Sequence, residues 1–389
     1  MPWTPILLNR NLRRTWGSRR GQPQSASGTR MTAKAEDLLT PQIDGHTKLS
    51  VPSFSFLVEH PSGRTVVFDL GLRKDFDSLP PAVQAFLKDC GWKLEVTKNV
   101  SDILEDGGIP LSGIEAVIWS HHHFDHVGDM TAFPRTADLV VGPSFKEHYM
   151  PAWPTDPGST LDESAWDGRN VREISFDEDC PKIGSFDAFD YFGDGSYYIL
   201  HCPGHTFGHI AALARVTVSS SDSAEDTFVL MGGDTCHFAG QFRPTRYKPL
   251  PREVEPSPLQ RVYPDACPGA LFRAMHPTRS ASTPFYEMPR SCAVDVEAAH
   301  QSIRYLQQFD AAVNVLVVIA HDESLLGEID FFPDSINQWK ANGCGEKARW
   351  QFLRCFRTNS SALHLKKSYS FHFKGKAEFY SGDKDTGLY

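Results

Sequence analysis

The chain has eight cysteines (Cys90, Cys180, Cys202, Cys236, Cys267, Cys292, Cys344 and Cys355), and no two are spaced C-x-x-C. That absence argues against a structural zinc ribbon and against a thioredoxin-type redox site. A chain of 389 residues does not need disulfide staples, so scattered thiols are read as buried and reduced, as in an intracellular protein. No apolar run is long enough to cross a bilayer, which excludes a transmembrane helix. Positive charge is not in excess: 39 Lys and Arg against 48 Asp and Glu leave a net charge of −9. The balance speaks against a general nucleic-acid binder and against a basic membrane-surface protein. No internal repeat is present. A 40% hydrophobic and 22% charged composition suffices for a sizeable core. With 29 glycines and 27 prolines, many loops and turns are expected.

Residues 1–35 differ from the rest. They carry Arg10, Arg13, Arg14, Arg19, Arg20, Arg30 and Lys34, and no acid precedes Glu36. Leu8, Leu12 and Trp16 fall on one stripe of a short helix. This composition is that of a leader, cleaved or disordered. It leaves the protein cytoplasmic, with a mitochondrial address as the alternative. Residues 36–330 are expected to form the catalytic domain, with inserted loops at 142–170 and 244–289. Residues 331–389 are read as an extension packed on it, with Trp339, Trp350, Phe352 and Leu353 facing a core. Loops of the inserted length are usually lids or binding loops. A small polar hairpin tip is expected at Ser219–Ser223.

From residue 50 onward, short apolar strands alternate with loops. Four of them end next to residues of metal-ligand type. Ala116–Trp119 runs into His121-His122-His123-Phe124-Asp125-His126, and Tyr197–Leu200 leads into His205 and His209. Thr227–Met231 leads into Asp234, and Val313–Ala320 ends at His321. Ligands at strand ends are held by a rigid sheet while the loops shape a pocket. In an extended segment His121 and His123 point the same way and can share a metal, whereas His122 points away. Asp125 and His126 follow after the chain turns and can serve a second ion. Imidazole nitrogen and carboxylate oxygen suit zinc first, and also iron or manganese.

With these motifs the sequence resembles the metallo-β-lactamase superfamily over roughly residues 50–325. The resemblance implies an α+β fold, an αββα sandwich with two metals at one edge. It implies that His121, His123 and His205 bind one ion, that Asp125, His126 and His321 bind the other, and that Asp234 bridges them. Asp69 matches an early strand-end aspartate that supports the ligands, and His209 a histidine outside them. The pattern is most similar to the N-acyl homoserine lactonase branch and its fungal relatives. That branch often has a tyrosine three residues after the bridging aspartate, where this chain has His237.

The implied activity is hydrolysis of a small cyclic ester or amide, including detoxification of benzoxazolinone-type compounds. Two metals lower the pKa of a shared water, which attacks the carbonyl. Asp125 and Asp234 orient that water, and His237 hydrogen-bonds the carbonyl or protonates the leaving group. A glyoxalase II-like thioesterase and a mononuclear iron persulfide dioxygenase are the alternatives. The partner expected is a small-molecule substrate, with neither nucleic acid nor membrane; a homo-oligomer stays open.

Overall fold

A computed structural model describes residues 4–8, 30–218 and 225–358. In chain order the strands are β1 (Thr4–Leu8), β2 (Arg30–Lys34), β3 (Lys48–Pro52), β4 (Ser55–Glu59), β5 (Thr65–Phe68), β6 (Lys93–Glu95), β7 (Ala116–Ile118), β8 (Asp138–Val141) and β9 (Val171–Glu173). They continue with β10 (Lys182–Ile183), β11 (Phe186–Asp190), β12 (Tyr197–His201), β13 (Ile210–Thr217), β14 (Thr227–Met231), β15 (Glu253–Val254), β16 (Cys267–Pro268) and β17 (Val315–Val318). The helices used below are α1 (Ala35–Leu38), α2 (Pro81–Cys90), α3 (Val100–Asp106), α4 (Phe124–Val127) and α5 (Phe145–Tyr149), followed by α6 (Gly269–Met275) and α7 (Val296–Ala311).

Two six-stranded sheets make the frame, in the orders β1-β4-β5-β7-β8-β9 and β10-β11-β12-β13-β14-β17. Side chains alternate across a strand, and here both faces of each sheet are covered. Phe56, Val58, Val66, Phe68 and Ile118 of the first sheet meet Ile199, Ile210, Ala212, Val229 and Val318 of the second in the inner core. The intervening residues point outward. Leu57, Val67, Val117 and Leu139 pack with Val100, Ile103 and Leu104 of α3. Leu200, Leu213, Leu230 and Val317 pack with Ala299, Ile303, Leu306 and Phe309 of α7. The result is the αββα sandwich.

α7 starts where Asp295 accepts from the amides of Glu297 and Ala298, satisfying two donors that the first turn leaves unpaired. It seats closely on the loop before it. Gly204 has φ +125°, and a Cβ there would lie 2.0 Å from the Ala299 nitrogen, so only glycine fits.

Two parts of the chain differ from expectation. The stretch read as leader contains β2, which pairs with β3 and β6 and buries Met31 and Ala33. The folded part therefore begins before residue 36. Leu8 lies in strand β1, which pairs with β4, and not in a helix; Leu12 and Trp16 lie outside the described residues. The 244–289 stretch contains the β15–β16 pair and α6, and it buries Phe272, Phe285 and Tyr286.

Trp339, Trp350, Phe352 and Leu353 are buried. Ser219–Ser223 lies outside the described residues, between the antiparallel strands β13 and β14. No described helix is long and apolar enough to cross a membrane.

Candidate metal centre

The ends of β5, β7, β12, β14 and β17 converge on one site. His121, His123, His205 and Asp234 bring ligand atoms within 4.8 Å of one another, and so do Asp125, His126 and His321. The carboxylate of Asp234 faces both groups. Its Oδ2 lies 3.7 Å from His121 Nε2 and 3.6 Å from His205 Nε2; its Oδ1 lies 3.2 Å from His126 Nε2 and 3.0 Å from His321 Nε2. His321 Nε2 is also 3.4 Å from Asp125 Oδ2.

The outward nitrogens fix the rings. A carbonyl can only accept, so His205 Nδ1–H donates to Cys292 O (2.7 Å) and His321 Nδ1–H to Pro52 O (2.6 Å). That leaves each Nε2, when neutral, with a lone pair aimed into the centre. His126 Nδ1 meets Asp69 Oδ2 at 2.9 Å, and the Asp69 carboxylate also accepts from Ser120 N (2.6 Å) and Oγ (2.7 Å). Asp69 is held at φ 59°, a left-handed conformation costly for a residue with a Cβ. Gly233, at φ +50°, lets the turn before Asp234 lie against Ser120, where a Cβ would come within 2.9 Å. His209 Nε2 accepts the amide of Asp234 at 3.0 Å.

His121 Nε2, His126 Nε2 and Asp234 Oδ1 are buried without a hydrogen-bond partner. Such groups are costly to bury. His205 Nε2 sits 3.1 Å from His123 Nδ1, so the two ring nitrogens are within hydrogen-bond distance and close enough to share one cation. Electrostatics agree. Burial, reinforced by neighbouring histidines, holds His121 and His205 neutral, well below the usual histidine value. Burial also opposes charge on His126 and His321, but Asp234 and Asp125 pull both upward. For Asp234 burial opposes charge as well, yet His321, His126 and His237 hold it well below the carboxylate range. Imidazole nitrogens and carboxylate oxygens in this grouping fit a divalent metal.

His237 joins the same site. Its Nε2 lies 3.4 Å from Asp234 Oδ2, and its ring lies parallel to that of His321, with centroids 6.1 Å apart. His122 belongs to neither group; it stacks on Tyr149 at 4.0 Å and forms part of the cavity wall.

A cavity of about 690 Å³ opens onto the centre. Its wall carries Val83, Phe86, Cys90 and Trp92. Glu36, Asp37 and Leu38 of α1 also line it, as do Cys292, Ala293 and Val294. Phe86 and Trp92 meet edge to face at 5.5 Å, and Trp92 Nε1 donates to Asp37 Oδ2 at 2.8 Å. Of the two insertions expected to shape the pocket, 142–170 supplies only Thr160 to this lining and 244–289 supplies none. The second insertion packs Phe272, Phe285 and Tyr286 into the core instead, while Tyr247 stays exposed. Sequence reasoning missed Phe86, Trp92, Asp37 and Val294 as wall residues.

The sandwich with histidine and aspartate clusters at its strand ends defines a class, the metal-binding hydrolases of the αββα type. The metallo-beta-lactamase superfamily model matches residues 50–212. The gamma-lactamase FDB1 of Fusarium pseudograminearum (strain CS3096) is 43% identical over 330 residues, 83% of this chain and 78% of that protein. The gamma-lactamase MBL2 of Gibberella moniliformis (strain M3125 / FGSC 7600) is 47% identical over 235 residues, 60% of this chain and 96% of that protein. An N-acyl homoserine lactone hydrolase, solved with N-hexanoyl-L-homoserine at its catalytic metal centre, aligns with a TM-score of 0.52. It is 15% identical over 86% of this chain and 98% of its own, a likeness of fold. The chain belongs to the metallo-β-lactamase superfamily and is a hydrolase of the lactamase and lactonase type.

Proposed function

We propose that the protein opens a small lactam or lactone ring with two divalent ions, zinc foremost. His121, His123 and His205 would hold one ion and Asp125, His126 and His321 the other, with the Asp234 carboxylate facing both groups. The observation that carries this reading is the Asp234 carboxylate, with one oxygen toward each histidine group. A single-iron dioxygenase would leave the second group without a purpose. The gamma-lactamase relatives favour a ring amide over the thioester of a glyoxalase II-like enzyme.

When bound, the ions supply a water acidic enough to attack at neutral pH and a Lewis acid for the carbonyl. The chain's own groups do the rest. Asp125 and Asp234 would accept hydrogen bonds from the attacking water and orient it. His237 stands on the cavity wall beside Asp234, where an imidazole can bond the substrate carbonyl or hand a proton to the departing nitrogen or oxygen. Phe86 and Trp92 cover the part of the substrate that does not react, and the buried floor keeps bulk water out.

The test is elemental analysis of the purified protein, together with hydrolysis of γ-lactams, N-acyl homoserine lactones, benzoxazolinone-type carbamates and glutathione thioesters. About two metals per chain with ring opening is the expected result. One iron with no hydrolysis, or thioester cleavage alone, would replace this reading.

A further inference from the structure

Gln241 lies on a short 3-10 turn, Ala239–Gln241, just beyond the centre, and is 2% exposed. Its side chain uses its whole hydrogen-bonding capacity, two acceptor positions and two donors. Oε1 accepts from His237 N at 2.7 Å and from Phe238 N at 3.1 Å. Nε2 donates to Leu38 O at 3.1 Å and to Glu287 O at 3.2 Å. Three segments far apart in the chain therefore meet on one amide. One of them carries His237. Another is α1, whose Asp37 holds Trp92 through its carboxylate and Cys292 Sγ through its carbonyl. The third is the end of the long insertion, bridged to Thr40.

Resting on the ring-opening reading above, we propose that Gln241 is a positioning residue with two separable halves. Its oxygen sets His237 against Asp234, and its nitrogen sets the α1 wall that contacts the non-reacting part of the substrate. Both halves follow from the chemistry of the amide. The backbone N–H of His237 can only donate and the carbonyl of Leu38 can only accept, so a carboxylate at 241 satisfies the first and not the second. None of its four hydrogen-bond partners is a residue assigned to the metals.

The experiment compares Gln241→Met and Gln241→Glu with His237→Phe and the double variant Gln241→Met/His237→Phe, each as full-length zinc-loaded protein. The ring substrates named above serve as probes. Metal content should stay at the wild-type level throughout.

Gln241→Met should lower kcat by roughly tenfold to a hundredfold and have little further effect in the His237→Phe background. Gln241→Glu should raise KM and leave kcat close to wild type. Equal losses of kcat in both backgrounds, the additive result, would overturn the proposal, as would a Gln241→Glu protein with unchanged KM.

A second readout is independent of turnover. In protein labelled at histidine, the His237 Cε1–H resonance, identified by its loss in His237→Phe, should move in Gln241→Met while that of His60 does not. If wild type opens no ring, the ring-opening reading fails and this resonance alone decides the role of Gln241. A shift supports the assignment and an unmoved signal overturns it. Should Gln241→Met not fold, the KM of Gln241→Glu carries the test.

Discussion

The main-chain N–H of Asp234 donates to Nε2 of His209 at 3.0 Å, while His209 Nδ1–H donates to the carbonyl of Cys202 at 2.8 Å. An amide cannot accept and a carbonyl cannot donate, so the neutral tautomer of His209 is fixed. Burial holds its pKa at about 4, which keeps Nε2 free to accept. His209 thus sets the turn that presents the Asp234 carboxylate. His209→Phe should fold and lose metal affinity by roughly tenfold to a hundredfold, the usual cost of removing support behind a ligand. Competition with a chelator measures it, and unchanged affinity would remove His209 from that role.

Asp69 combines a left-handed backbone with acceptance from Ser120 and His126. Asparagine tolerates that backbone but offers one acceptor oxygen where the carboxylate offers two. Asp69→Asn should therefore melt near the wild-type temperature and hold less metal. Asp69→Leu should lose, in addition, about 1–3 kcal/mol from backbone strain. Thermal melts of metal-free protein separate the two effects. Equal melting temperatures for both variants would contradict this account.

Asp310 lies buried between two guanidinium groups. Arg243 Nη2 reaches its Oδ1 at 2.7 Å, and Arg349 Nη1 reaches its Oδ2 at 2.6 Å. Burial opposes the charge, but Arg243 and Arg349 hold the carboxyl below its ordinary value of 3.8. The folded state thus binds the proton more weakly than the unfolded one. The stabilisation is complete above pH 3.8 and is lost as the pH falls through the lower folded value. Asp310→Asn should cost about 3–5 kcal/mol at neutral pH, because it removes the close carboxylate from the buried Arg243, which keeps only Asp322 at 3.7 Å, and from the partly buried Arg349. It should also flatten the acid limb of the stability curve, which urea melts from pH 7 down to pH 3 would record.

Phe86 is 47% exposed at the cavity mouth, although it is large and apolar. Phe86→Ala should raise KM several-fold for ring substrates with bulky apolar substituents and leave kcat unchanged. For the smallest rings neither constant should change. A fall in kcat for every substrate would place Phe86 in the chemistry and not in the wall.

The seven clustered residues were legible because each follows a short apolar strand, and a strand end fixes direction locally. The αββα frame was legible for the same reason, since outward and inward residues such as Leu57 and Val58 are both apolar. The cavity wall was not. β2 alternates Met31 and Ala33 inward with Arg30, Thr32 and Lys34 between them, and five residues with that many cations read as leader until a partner strand is present. Gln241 carried no pattern at all, because its four partners come from residues 38, 237, 238 and 287. Long-range hydrogen bonds of one polar side chain leave no periodicity to find.

His205 and His321 owe their orientation to the carbonyls of Cys292 and Pro52, groups that every amino acid possesses. Position 292 therefore does more than orient His205, since its thiol donates to Asp37 O. Its main chain serves the catalytic centre, and its side chain borders the cavity. Substitutions at Ala293 and Val294, which border the same cavity, can therefore change what it admits without touching that thiol or the carbonyl behind His205.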